Sequence, residues 1–419
     1  MTPALVALND RTFASLRRHR NYRLFFTGQV ISVSGTWMQN VALAWLVVEM
    51  TRSPLAVGVL AFCRFVPFTI FGLVAGVVAD RIDNRKLVIA TQATSMALSA
   101  VLAVLVLTGT PALWLVYLLA ALTGTALVFD APGRHALTFQ MVGRDELPNA
   151  VALNAGLFNA SRVVGPAVAG VLIAAFGVGV CFAINTVTFL AVLAGLLMMR
   201  ASELVPLTRV GEPPTMMRGI REGFSWVLAS PDMRLVLAIV TVVSTVGFNF
   251  HVILPLLASD TLNTGPGIFG VLSACFGGGA LVGALLSAAL GRASWKVLVA
   301  GTAGFSLSLL ALAPVETVWL AAALLFVTGT CFTLWTSNAN AILQLRAPDH
   351  LRGRVVSLYL WAFAGLAPIG GLFAGWLTEV GGTQLAFAVA GSTGLIMALA
   401  AARELTVRRA AATATAVAR

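Results

Sequence analysis

Asp130 and Arg134 stand four residues apart around Pro132, inside a stretch otherwise suited to hydrocarbon. That spacing puts both on one face of a helix. Two roles are open. They can form an intrahelical ion pair that only offsets burial, or Asp130 can take up and release a proton, because burial favours the neutral form of a carboxyl group. Arg64 lies ten residues past Pro54, about 15 Å into a helix at 1.5 Å per residue, and Arg162 is similarly central in its own span. An intramembrane guanidinium needs a polar cavity or a partner, so each is either functional or satisfied structurally by carbonyls or a carboxylate. Asn40 and His251 are 211 residues apart, at equivalent places in the internal repeat described below. A shared cavity role and a merely hydrogen-bonded one are both open for them. Glu49 is a second carboxylate candidate near an outer helix end, and His135 reads as near-interfacial. Trp37, Trp45, Phe248, Asn154, Trp335, Gln344 and Trp361 could line an aromatic, sparsely polar pocket, or could each be packing and interface anchors.

A second cluster is the run from Gly76 to Lys86, which holds Asp80, Arg81, Asp83, Arg85 and Lys86. The sequence before it is almost entirely apolar from Leu55, and residues 87–129 carry no charge. This is a tight charged turn between two membrane helices. Asp80, Arg81, Arg85 and Lys86 sit where an inner gate would close: a carboxylate at a cytoplasmic helix end can pair with arginine and part from it as two halves rock. The alternative is a turn that only fixes topology.

Other chemistry has no residues to perform it. The four histidines are scattered, and the spans hold no carboxylate cluster, so no enzyme, metal site or cofactor is expected. Cys63, Cys181, Cys275 and Cys331 fall in apolar spans and read as small buried hydrophobes. The chain has no G-x-x-x-x-G-K-[ST] loop, which excludes direct drive by ATP.

These residues must be positioned by membrane helices. The chain has 419 residues, 59% hydrophobic and 10% charged, against about a quarter charged in soluble domains. A crossing needs roughly 20 apolar residues. Twelve spans follow, at 22–50, 54–79, 87–108, 113–141, 149–175, 179–199, 233–258, 266–290, 296–313, 317–345, 354–378 and 383–402. The expected organisation is a six-helix half over 1–199, a cytoplasmic linker with an amphipathic helix over 200–232, a second half over 233–402 and a tail over 403–419. A formal charge of +11 invites a nucleic-acid reading, but its distribution does not. Of 27 Lys and Arg, 23 fall on the side holding the N-terminus, Arg52 alone falls on the other, and Arg64, Arg134 and Arg162 lie within spans. That bias places both termini in the cytoplasm. No cleavable signal peptide is read in the first 23 residues. The expected setting is a bacterial cytoplasmic membrane, with a monomer in the lipid bilayer.

The halves echo each other near an offset of 211. Tyr22-Arg23-Leu24 matches Met233-Arg234-Leu235, and Pro54 with Gly58-Val59-Leu60 matches Pro266 with Gly270-Val271-Leu272. Asp145-Glu146-Leu147 and Gly165-Pro166 are echoed by Asp349-His350-Leu351 and Ala367-Pro368. Two such halves face one another around a central site in many transporters. Gly72/Gly76, Gly279/Gly283 and Gly371/Gly375 have the spacing of helix-packing pairs.

Several segments share one resemblance: Arg20 to Phe26, Gly28-Gln29, Gly35-Thr36-Trp37, the Asp80–Lys86 turn, Leu147-Pro148-Asn149-Ala150, Leu153-Asn154, Asn159 to Arg162 and Gly165 to Gly170. Together they resemble the enterobactin-exporter-like, transmembrane secretion effector branch of the major facilitator superfamily. The resemblance implies twelve helices, alternating access and export of small molecules, commonly by proton antiport. It also implies that Gly156, Gly165, Pro166 and Gly170 stand for the antiporter pattern of the fifth helix. Three departures stand out. Asn84 replaces a common arginine in the turn, Ala120 stands where drug antiporters often carry one, and Ala169 replaces a paired glycine. The function expected is export of amphipathic drugs, siderophores or secondary metabolites. The alternatives are a facilitator or importer of a small solute, or a lipid flippase.

Overall fold

The computed structural model describes residues 13–109, 111–206, 216–348 and 351–417. The described residues are α-helical almost throughout, with no strand among them. Among the described residues, ten helices are long and apolar enough to cross a membrane. Two of them, Leu113–Phe176 and Arg354–Val407, are 64 and 54 residues long, about two crossings each at 1.5 Å per residue. Each is interrupted by glycine. Gly143 (φ 72°, ψ −174°) splits the first and Gly382 (φ 70°, ψ −178°) the second. An L side chain rarely adopts those angles, so glycine lets the chain turn there. Counting both sides of each break gives twelve apolar segments.

Local signals set the helix ends. Asp83 caps Asn84–Thr108, its carboxylate accepting from the Lys86 N–H at 3.1 Å, as N-cap aspartates do. Arg52 in the left-handed region (φ 52°) ends Arg20–Thr51. Pro231 opens Pro231–Gly247 at its first turn, where a missing N–H is harmless. Pro67, Pro132, Pro148 and Pro166 sit inside helices that continue through them.

Much of the apolar surface faces outward. Only 28% of the most apolar window of Pro54–Gly72 is buried, and Val104, Leu107, Val171 and Trp319 are all more than half exposed. A surface of that kind is stable against lipid, not water.

The chain forms two compact units, which follow chain order except at two short segments. The first comprises residues 1–52, 63–211 and 264–274; the second comprises 53–62, 212–263 and 275–419. In the first unit the core gathers Tyr22, Phe25, Leu137, Phe189 and Leu196. In the second, Val236, Ile239, Leu298, Phe305, Leu325 and Phe387 are buried to 1% exposure or less. Of the expected linker, residues 207–215 lie outside the described residues, as do Asp349 and His350 of the repeat. Met216–Ala229 is a helix, with Val227 buried, Phe224 and Leu228 exposed, and Glu222 paired to Arg354.

The expected glycine pairs divide. Gly279 and Gly283 are pressed against the Phe326 and Thr330 backbone, and Gly371 and Gly375 lie against Ala61 and Gly58. Gly72 and Gly76 meet no heavy atom within 4 Å of an added Cβ. They are not packing sites here, because their stretch of helix presents its surface outward: Phe71, Gly72 and Val74 are exposed.

Candidate functional site

Asp130 is 3% exposed and is the hub of a polar site built wholly within the first unit. Its Oδ1 accepts from Thr91 Oγ1 and Gln92 Nε2, both at 2.8 Å. Its Oδ2 accepts from Arg134 Nε at 2.9 Å and from Nη2 as well. Arg134 also donates to Gln29 Oε1. Three helices contribute: Arg20–Thr51 supplies Gln29, Asn84–Thr108 supplies Thr91 and Gln92, and Leu113–Phe176 supplies the ion pair. A buried carboxylate with four donors, two of them from a guanidinium, is fixed in direction. Removing either charge would strand the other in a low-dielectric site. Gln29 is itself 2% exposed, and its Nε2 has no hydrogen-bond partner among the described residues. A donor is therefore left over beside the ion pair.

Below this hub the polar chain continues. Thr138 Oγ1 donates to the Arg134 carbonyl at 2.9 Å, and Tyr22 OH lies 2.9 Å from the Ala150 carbonyl and 3.1 Å from Asn154 Oδ1. At the end of the helices Ser15 bonds Asn149, and Arg18 pairs with Glu146 at 2.6 Å.

The two central arginines are placed otherwise. Arg162 is half-buried with its guanidinium carbon 5.7 Å from the centre of the Trp37 ring, and Trp37 meets Phe158 edge-on at 5.5 Å. Arg64 lies 5.8 Å from the ring of its neighbour Phe65, where its backbone carbonyl is covered closely by Gly124. Aromatic faces attract cations in this range. Asn40, in the first unit, and His251, in the second, are both half-buried. His135, next to the ion pair, is exposed. Gly165 is tight against Ser34 and Trp37, and Gly170 against Gly267 and Gly270, whereas Gly156 has open space around it. Pro166 lies in continuous helix.

In the charged turn, Arg85 is committed to structure: Nε and Nη2 donate to the Leu196 and Leu197 carbonyls at 2.9 and 3.1 Å. A cation at a helix C-terminus is favourable, and these carbonyls have no intrahelical donor. Asp80, Arg81 and Lys86 are exposed.

The second unit holds a different feature. Pro231–Gly247 stops, and Phe250–Leu256 starts after a break at Phe248 and Asn249. Asn249 Nδ2 covers the freed carbonyls of Thr245 and Val246 at 2.8 and 3.3 Å. Ser244 Oγ reaches the Ala362 carbonyl, inside the π-helical turn Trp361–Gly365. Around the break Phe248 stacks on Phe332 at 4.3 Å and 9°, and Phe332 meets the fully buried Trp335 edge-on. Trp45 is also accounted for, donating to Glu49 Oε1 at 2.6 Å. Sequence reasoning missed Gln29, Thr91 and Gln92 as partners of the ion pair. The available signal was three polar side chains inside apolar spans. It also missed the break, which Gly247 and Asn249 mark.

Known proteins match most of the chain's length. A family model described as transmembrane secretion effector covers residues 11–418. The staphyloferrin A transporter of Staphylococcus aureus is 23% identical over 376 residues, 88% of this chain and 92% of its own. Macrolide efflux protein A of Streptococcus pyogenes is 23% identical over 368 residues, 85% of this chain and 89% of its own. Among solved structures, a variant of the nucleoside transporter NupG superposes with a TM-score of 0.75 at 11% identity. That match covers 91% of this chain and 99% of the other, and establishes shared fold alone.

Proposed function

We propose, from the premise that this chain belongs to the transmembrane secretion effector family of the major facilitator superfamily, that it exports small amphipathic molecules in exchange for protons. That it is a multi-pass membrane transporter and not an enzyme follows from the family itself. The relatives' printed names, a staphyloferrin A transporter and a macrolide efflux protein, support a cargo drawn from drugs, siderophores or secondary metabolites. The cargo would cross by alternating access in a bacterial cytoplasmic membrane, through a monomer with both termini cytoplasmic.

The observation that carries this reading is the buried Asp130–Arg134 pair. A proton reaching Asp130 Oδ2 neutralises the carboxylate and removes the acceptor that holds two guanidinium N–H groups. Arg134, left with its bond to Gln29, then turns toward an anionic cargo group. Loss of the proton to the cytoplasm restores the pair. Arg162 on Trp37, with Arg64 and Asn40, would contact cargo in the first unit, and His251 would do so in the second. Asp80, Arg81 and Lys86 would close the inner gate, with Arg85 securing the helix end beside it.

The test is substrate-driven proton flux in liposomes with an internal pH dye, across a panel of dyes, macrolides and siderophores, for wild type and Asp130→Asn. Flux lost in the variant supports antiport through Asp130. Cargo movement indifferent to the proton gradient would leave a facilitator.

A further inference from the structure

The two segments that depart from chain order are the same piece of the repeat. Residues 53–62 start the helix Pro54–Arg81, and residues 264–274 start the helix Pro266–Leu290. Both stretches lie at the helix ends opposite the basic N-terminal side, and in each case the rest of the helix belongs to the other unit.

Within its unit each segment is seated on glycine. In the second unit, a Cβ on Gly58 would fall 2.8 Å from the Gly371 carbonyl oxygen, and one on Gly375 would fall 2.9 Å from that of Pro54. In the first unit, a Cβ on Gly270 would fall 2.6 Å from the Pro166 oxygen, and one on Gly170 would fall 3.0 Å from that of Gly267. Bare backbones meet at both places, the arrangement by which membrane helices approach most closely.

The 53–62 seat has a charge across it. Glu379 Oε2 accepts from the Leu55 N–H and from Ser53 Oγ, each at 3.1 Å, while Ser53 Oγ itself accepts from the Ala56 N–H at 3.3 Å. The first turn of Pro54–Arg81 is thus capped by a carboxylate 324 residues away in sequence. Its orphan N–H groups and its positive dipole end both favour that partner. The 264–274 seat has an aromatic counterpart: Trp45, oriented by Glu49, stacks on Phe269 at 5.9 Å and 25°.

We infer that Glu379 is the positioning residue of a releasable latch, holding the outer start of Pro54–Arg81 in the second unit until the transporter opens outward. The inference rests on the alternating-access reading. Outward opening requires both borrowed segments to leave their seats. The glycine contacts hold by shape, whereas the Glu379 cap is a discrete bond set whose loss shifts the population of the released state.

The experiment is hydrogen exchange on the full-length protein in lipid nanodiscs, without substrate or gradient, for wild type, Glu379→Ala and Glu379→Gln. The latch predicts that Glu379→Ala speeds exchange over 53–62 about fivefold, the equilibrium change that loss of a helix cap brings. It also predicts a rise over 264–274, which belongs to the other unit, with Asn84–Thr108 unchanged. Glu379→Gln keeps an oxygen to accept the Leu55 N–H and should fall between. A rise confined to 53–62 would make Glu379 a local cap and overturn the latch, as would no rise at all. If the alanine variant loosens Asn84–Thr108 as well, Glu379→Gln is read by the same rule. Because the measurement needs neither cargo nor proton flux, its failure leaves the export reading standing, and failure of export leaves the exchange result intact.

Discussion

The guanidinium of Arg85 closes the C-terminus of Val178–Leu197 by donating to the Leu196 and Leu197 carbonyls, 111 and 112 residues ahead in the chain. The charged turn is thereby tied to the sixth apolar helix of its own unit. Arg85→Ala should lower the stability of the first unit by about 1–2 kcal/mol, the worth of a cation at a partly buried helix end. Thermal unfolding in detergent, with Asp83→Ala as a second cap lesion, measures it. A loss no larger than for Lys86→Ala would refute the capping role.

The Asp130 site predicts strong non-additivity. Asp130→Asn or Arg134→Met alone should each destabilise by about 3–5 kcal/mol, because the remaining charge is buried without its partner. The double variant Asp130→Leu with Arg134→Met should recover most of that loss, since no charge is then stranded. Unfolding midpoints of the three proteins decide the matter. Proton-coupled transport should be absent in the double variant even though it folds.

Glycine spacing and glycine packing give opposite expectations at two positions of one helix. Gly72→Ala should be neutral or stabilising by about 0.5–1 kcal/mol, because nothing stands near the new methyl and alanine is the better helix former. Gly58→Ala drives a methyl against the Gly371 carbonyl and should destabilise by about 1–3 kcal/mol, the usual penalty of overpacking. Equal effects at the two sites would overturn the packing assignment.

At the break in the second unit, Asn249→Leu preserves volume but strips the donor from two carbonyls. A buried acceptor left unmet costs about 1–3 kcal/mol. Asn249→Gln, with the same amide on a longer arm, should lose less, as read by the same unfolding assay.

Much of this was legible from the chain alone. Apolar runs located the spans because a crossing must be long and uncharged whatever its neighbours are. The i, i+4 spacing of Asp130 and Arg134 was enough to pair them, because both lie on one helix. Thr91, Gln92 and Gln29 come from two other helices, and no local pattern reports which turns of separate helices meet. The break at Phe248–Asn249 escaped for another reason: hydropathy does not distinguish a continuous apolar helix from one that stops and restarts. Gly72 and Gly76 misled because spacing says a helix can be approached closely, not that anything approaches. The engagement of Arg85 was hidden because a carbonyl acceptor has no side chain to announce it.

The exchanged segments have a consequence for biosynthesis. A ribosome releases the first six apolar helices long before residues 264–274 exist, and residues 53–62 before Glu379 does. The first unit is therefore inserted with one piece missing, and one of its helices waits with an uncapped end for a partner near the close of the chain. Complementary fragments divided within 207–215 would each carry a vacancy that only the other can fill. Such fragments should assemble on co-expression and be degraded when made separately.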